Sequence, residues 1–274
     1  MPRKLTTSLA LSILLTLSVG VATAAAQVAP PLGVAQQFGV LGNSAVTGAA
    51  GAGVVVSGDV GSSPTATISN FPPSTVAPPN ALHLTNNGIV QQARIDANAA
   101  YVNLLGQGAG TVLPDDLATV GALTPGIYSF LTGAPNLPAS ATLTLNGNGI
   151  FVFNVGSALT ANVLSNVVGT ANPCNIYWRV GSSATLNGNT FRGTVIANAS
   201  ITVGAGANLA GRALAGTGAT GAVTMAGPGG NTIGGCSGGV GVPTLPQVVL
   251  WMLAIGLITI GFFRLKASVA KPAF

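Results

Sequence analysis

Catalysis and metal binding need particular side chains, and this sequence holds few of them. Between residues 27 and 242 the only carboxylates are Asp59, Asp96, Asp115 and Asp116, and His83 is the only histidine of the chain. Polysaccharide hydrolysis or elimination needs opposed carboxylates or a positioned base. Asp115 and Asp116 are adjacent, so in an extended loop after Pro114 they diverge, and Asp59 stands alone among turns. These acids read as turn-formers. A Ser-His-Asp triad could use His83, but a structural place ahead of a helix suits it better. No His, Cys and Asp cluster has metal-ligand spacing. Gly216-Thr-Gly-Ala-Thr-Gly221 has the letters of a dinucleotide loop, yet no acid follows it and no βαβ unit surrounds it. We expect no enzyme activity, no metal and no cofactor.

A different chemistry, that of an ordered hydroxyl surface, is suggested by four short segments. They are Ala158-Leu-Thr-Ala-Asn162, Ser183-Ala-Thr-Leu-Asn187, Ser200-Ile-Thr-Val-Gly204 and Ala222-Val-Thr-Met-Ala226. Each has Thr at its centre (Thr160, Thr185, Thr202, Thr224) between two apolar residues, and the steps from Thr to Thr are 25, 17 and 22 residues. That is the length of one solenoid turn. Side chains alternate along a strand. If the apolar pairs point into a core, the four Thr point out in a ladder, flanked by small residues such as Ser183 and Ser200. Gly204 and Ala226 interrupt a full Thr array. Thr is rotamerically stiff in a strand, so such a face is preorganised.

The elements that must carry this ladder are short β-branched runs, such as Gly149-Ile-Phe-Val-Phe153 and Gly193-Thr-Val-Ile-Ala197, separated by Gly and Asn turns. This punctuation means a sandwich, barrel or solenoid, and the repeat favours a solenoid. One segment, about residues 87–105, reads as a helix, with Ile89, Ala93, Ala97, Ala100, Tyr101 and Leu104 on one face. Asn86 or Asn87 can cap its start and Gly106 its end.

The net charge of +5 misleads. Arg3 and Lys4 lie at one end, and Arg264, Lys266 and Lys271 at the other. Four bases (Arg94, Arg179, Arg192, Arg212) balance four acids between 27 and 242, with no Lys and no Glu there. Nucleic-acid binding, which needs clustered basic residues, is excluded as an expectation. Residues 1–26 have the basic start, apolar core and small-residue exit of a secretory signal peptide. Residues 243–274 hold Pro-Thr-Leu-Pro-Gln247, an apolar run at 248–263 and then Arg264-Leu-Lys266. This resembles an IPTL-type C-terminal sorting signal, although Val248 stands where that pattern usually has Trp. It implies membrane insertion before processing, and a protein exported to the cell surface or secreted, as a transient or permanent membrane guest. Cys174 and Cys236 are the only cysteines, and an oxidising compartment makes a disulfide the expectation.

Across nearly the whole of 27–242 the sequence resembles the microbial ice-binding proteins. The matching stretches run in order. They include Leu32-Gly-Val-Ala-Gln-Gln-Phe-Gly-Val-Leu41, Ser57-Gly-Asp-Val-Gly-Ser-Ser-Pro64, Ala81-Leu-His83, Leu123-Thr-Pro-Gly-Ile-Tyr128, Asn175-Ile-Tyr-Trp-Arg-Val180 and Ala207-Asn-Leu-Ala-Gly-Arg-Ala-Leu214. The resemblance implies a mainly β fold: a right-handed discontinuous β-solenoid, three-faced, with one α-helix packed alongside. It also implies that the strand region near Ser44 and Val46 joins the solenoid beside the C-terminal coils. The partner is then an ice crystal surface, met by a monomer through a flat face of short side chains. The ice-binding residues carried over are Thr160, Thr185, Thr202 and Thr224, with Ser183, Ser200 and Ser44 beside them. The competing expectation is a structural or adhesive surface solenoid without ice activity.

Overall fold

The computed structural model describes residues 27–236 apart from 219 and 229. The expected signal peptide at 1–26 and the sorting signal at 243–274, with its apolar run 248–263, lie outside the described residues. Among the described residues no helix is long and apolar enough to cross a membrane.

Every strand pairing among the described residues is parallel, and successive turns of chain stack into a three-sided coil. One side is a seven-stranded sheet of very short strands. In spatial order these are Asn136–Leu137, Leu159–Ala161, Ala184–Leu186, Ile201–Val203, Ala222–Met225, Ala45–Thr47 and Ile68–Ser69. The other two sides form one thirteen-stranded sheet. They are continuous because Thr190–Ala197 and Asn208–Ala215 each run round a corner without breaking. The corner falls at Gly193, paired in register with Gly211. Gly193 has φ +115°, and a Cβ there would lie 2.7 Å from the Ile176 side chain, so only glycine fits.

Inward residues of the three sides fill a core of Val, Leu, Ile and aromatic side chains. Its centre is a stack of rings from consecutive coils. Tyr128 lies 5.3 Å from Phe153, Phe153 lies 3.9 Å from Trp178, and Trp178 lies 5.1 Å from Phe191. The Trp178 indole N–H donates to the Arg192 carbonyl at 2.9 Å, so its one polar atom is satisfied.

The helix, Gly88–Gly106, covers the second side. Asn87 caps it, its side-chain oxygen accepting from the Ile89 and Val90 amides at 3.1 Å. Val90, Ala93, Ala97, Ala100 and Leu104 are buried against Ile127, Val152, Tyr177, Ile196 and Leu214. Ile89, expected on this face, is 49% exposed, and Val90 takes its place. Strands such as Phe151–Val155 and Ile176–Val180 are buried on both sides for this reason and read as unbroken apolar runs. Trp178 enters the core and Tyr177 meets the helix, so neither is offered to solvent.

The coil is discontinuous in chain order. Residues 38–83 build the coils at one end, the helix returns along the side, and 111–234 build the rest from the far end. The last of these coils docks on the first: Val223 pairs with Val46, Leu214 with Leu41, and Asn231 with Val54. Cys174 and Cys236 form a disulfide with Cα atoms 5.2 Å apart, anchoring the chain just after the last strand.

Candidate functional site

The seven-stranded side is one of the two that the helix leaves uncovered, and its outward centre line is largely a row of hydroxyls. Thr160 pairs with Thr185, Thr185 with Thr202, and Thr202 with Thr224. The row continues into the N-terminal coils, where Thr224 pairs with Thr47 and Thr47 with Ser69. At the other end Asn136 stands beside Thr160. Strand spacing sets neighbours about 4.8 Å apart. The residues on either side of each central Thr point inward; Leu159, Ala161, Ala184, Leu186, Ile201 and Val203 are at most 1% exposed. Buried neighbours on a closed coil hold the threonines rigidly. Among the described residues the hydroxyls of Thr160, Thr185, Thr202 and Thr224 have no protein partner, and no charged residue lies in the seven strands.

The flanking serines are less free. The Ser200 hydroxyl accepts from the Ala222 amide at 3.2 Å, and the Ser183 hydroxyl accepts from the Ser200 amide at 3.4 Å. Ser183 and Ser200 therefore brace adjacent coils while their Cβ atoms face outward beside Ala222 and Ala45. On the far flank Asn162 donates to the Asn136 side chain at 2.6 Å. Ser44 lies outside the row, in the bend ahead of Ala45–Thr47, with its amide donating to the Gly221 carbonyl at 3.0 Å. Thr47 holds the outward position in that coil. A signal for it existed: Ala-Val-Thr occurs both at 45–47 and at 222–224.

The polar groups that catalysis would need are engaged elsewhere. Asp59 accepts from the Ala81 amide at 2.8 Å and meets His83 Nε2 at 2.9 Å. His83 Nδ1 lies 3.2 Å from the Asn87 side-chain nitrogen, which makes it the acceptor and puts the ring proton on Nε2. His83 also stacks on Phe38. Asp96 accepts from the Val34 amide, Asp115 from the Thr132 amide, and Asp116 from the Ala118 amide. Among the described residues no group of three His, Cys, Asp or Glu could hold a metal ion.

The remaining uncovered side has its own outward row. In spatial order it is Thr142, Asn166, Thr190, Asn208, Thr232, Val55 and Thr75. It is less uniform. The Thr232 hydroxyl donates to the Asn208 side chain at 3.1 Å, and Arg192, which donates to the Gly169 carbonyl, lies in the neighbouring row.

The sequence profile described as ice-binding-like matches residues 40–229, nearly all of this coil. The chain belongs to the ice-binding-like family. An ice-binding protein of Nostoc sp. (strain HG1) is 37% identical over 179 residues, 62% of this chain and 63% of that protein, so the chain spans less than two thirds of this relative. An ice-binding protein from an Antarctic biological consortium has a crystal structure similar at a TM-score of 0.67 and 37% identity, covering 76% of this chain and 92% of that one. The ice-binding protein of the Antarctic ascomycete Antarctomyces psychrotrophicus gives 0.63 and 33%, over 76% and 98%. The family thus shares the mainly β, parallel coil with one helix.

Proposed function

We propose that this protein adsorbs to ice through the row Thr160, Thr185, Thr202, Thr224 and Thr47. The observation that carries the proposal is the row itself: five in-register threonines on a flat, uncharged sheet, four of them with hydroxyls free for water. A charge would keep its own hydration shell. Short methyl and hydroxyl groups at fixed spacing instead order a water layer that a growing crystal can incorporate. Rigidity keeps the ordering cost on binding low. Adsorbed molecules then pin the crystal front, so growth or recrystallisation is inhibited, or a cell carrying the protein is held at the ice. The names of the relatives support the same ligand. On this reading the coil is right-handed, as parallel crossovers almost always are, and the protein acts as a monomer. It is exported by residues 1–26 and carried through a membrane stage by residues 248–263. No enzyme role is proposed, since all four acids between 27 and 242 are tied to backbone amides.

A second reading, ice contact through the row Thr142 to Thr75, is favoured by the greater exposure of Thr142, Thr232, Val55 and Thr75. Watching a single ice crystal in a nanolitre droplet separates the readings. Shaping by the parent that is lost in Thr202→Tyr but kept in Thr190→Tyr supports the threonine row. The reverse pattern moves the site to the second row. A folded parent that neither shapes ice nor opens a freezing–melting gap leaves an adhesive solenoid as the function.

A further inference from the structure

Four of the five threonines of the row are carried by the C-terminal part of the chain, and Thr47 comes from its N-terminal part. Nothing covalent nearby fixes the two parts at the right height relative to each other. Burial of one face forbids a one-residue slip of the docked strands, but a slip of two residues would keep the same side chains inward. Asn43 crosses this junction, its side-chain nitrogen donating to the Gly216 carbonyl at 3.2 Å, and so does the more deeply buried Arg212. Arg212 projects from Asn208–Ala215, the strand on which Phe38–Gly42 docks, with Leu214 beside Leu41. Its Nε donates to the Gln36 carbonyl at 3.0 Å, one terminal nitrogen donates to the Thr194 hydroxyl at 3.3 Å, and the other donates to the Cys236 carbonyl. Its acceptors therefore come from the turn that leads into the first coil, from the preceding coil and from the chain just beyond the last strand.

Two features set Arg212 apart from ordinary packing. It is 4% exposed, and among the described residues no carboxylate pairs with it. Burial pushes its pKa below the usual guanidinium value, with the nearby Tyr177 opposing that shift. A buried cation without a counter-charge is a poor source of stability, and an apolar side chain of like volume would serve better. The other two coil-bridging arginines reach only the preceding coil or the helix. Arg179 donates to Asn154, the Val155 carbonyl and the Tyr101 hydroxyl, and Arg192 donates to the Gly169 carbonyl.

We infer that Arg212 is a positioning residue for the ice-contacting face: its fork of carbonyl contacts sets the register of the N-terminal coil on the C-terminal coils, so that Thr47 continues the row ending at Thr224. The inference rests on the threonine-row reading for its functional consequence but not for its structural one. The test follows amide hydrogen exchange in the full-length protein alongside the freezing–melting gap, in the parent, Arg212→Met, Arg212→Lys and Thr47→Tyr. In Arg212→Met, exchange at Phe38–Gly42 and Ala45–Thr47 rises about tenfold or more, exchange at Ala184–Leu186 and Ile201–Val203 is unchanged, and the gap shrinks to that of Thr47→Tyr. Arg212→Lys, which keeps the charge but not the fork, shows the same local pattern. Exchange that rises equally in all these strands, or in none, overturns the role of Arg212, as does failure of both Arg212 variants to fold. Local loosening with an unchanged gap keeps Arg212 as the register key and sinks only the threonine-row reading.

Discussion

Thr47 stands directly beside Thr224 in the outward row, although one comes from the first coil of the fold and the other from the last. The face is thus assembled across a break in the chain. A bulky side chain at the centre of the row is expected to lift the whole surface off ice. Thr202→Tyr should abolish crystal shaping while leaving the melting temperature within about 3 °C, since outward substitutions on a sheet rarely cost more than about 0.5 kcal/mol. Thr47→Tyr, nearer the end of the row, should reduce the freezing–melting gap severalfold without abolishing shaping. Paired measurements of the gap and of thermal unfolding check both.

The Cys174–Cys236 bond closes a loop of 62 residues. On the chain-entropy account its removal costs about 4 kcal/mol. Cys174→Ser with Cys236→Ser should lower the denaturant midpoint accordingly. The strand Asn231–Gly234 should be the first region to lose amide protection, because the crosslink fixes the chain two residues beyond it. Ice shaping at low temperature should persist in the folded variant.

Asn87 has two duties, capping the helix and donating to His83. Asn87→Ala should cost about 1 kcal/mol for the cap, plus the loss of the His83 partner. Asn87→Asp should restore the cap but not the donor to Nδ1, leaving a partial deficit. Chemical denaturation of the three proteins measures the split, and equal stability of Asn87→Asp and the parent would show that the bond to His83 contributes nothing.

Gly193→Ala should be among the most damaging single changes, because the corner needs φ +115° and the new methyl would press on Ile176. A loss of at least about 2 kcal/mol is expected. Gly206, also at positive φ but with open space around it, should lose only about 1 kcal/mol on the same substitution. A comparison of their unfolding midpoints tests whether the corner geometry or glycine conformation alone is at stake.

The threonine row was legible in the sequence wherever one coil follows the next, because Thr160, Thr185, Thr202 and Thr224 recur at coil-length steps between apolar pairs. Thr47 is not reached by that period, since the step from Thr224 to Thr47 crosses the break in the chain. The helix was legible from its alanines, yet the choice between Ile89 and Val90 was not. Both are apolar, and only the angle at which the helix lies on Val152 and Ile196 decides which is buried. The second outward row was hidden by its composition: Asn166 and Asn208 are weak strand formers, and the glycine corners disguise where the strands run. Arg212 left no trace because its acceptors at Gln36 and Cys236 are backbone carbonyls, which every residue has.

The break in the coil also dictates an order of events during folding. Synthesis delivers the opening coil first, while the strands Ala222–Met225 and Asn231–Gly234 that must receive it are the last to emerge. Until then the edges of Ala45–Thr47 and Val54–Ser57 are unpaired templates, open to wrong partners. Contacts this distant in sequence slow folding. The full row is therefore complete only when the final coil closes it, and a nascent or truncated chain lacking that coil holds Thr160, Thr185 and Thr202 in one block and Thr47 in another.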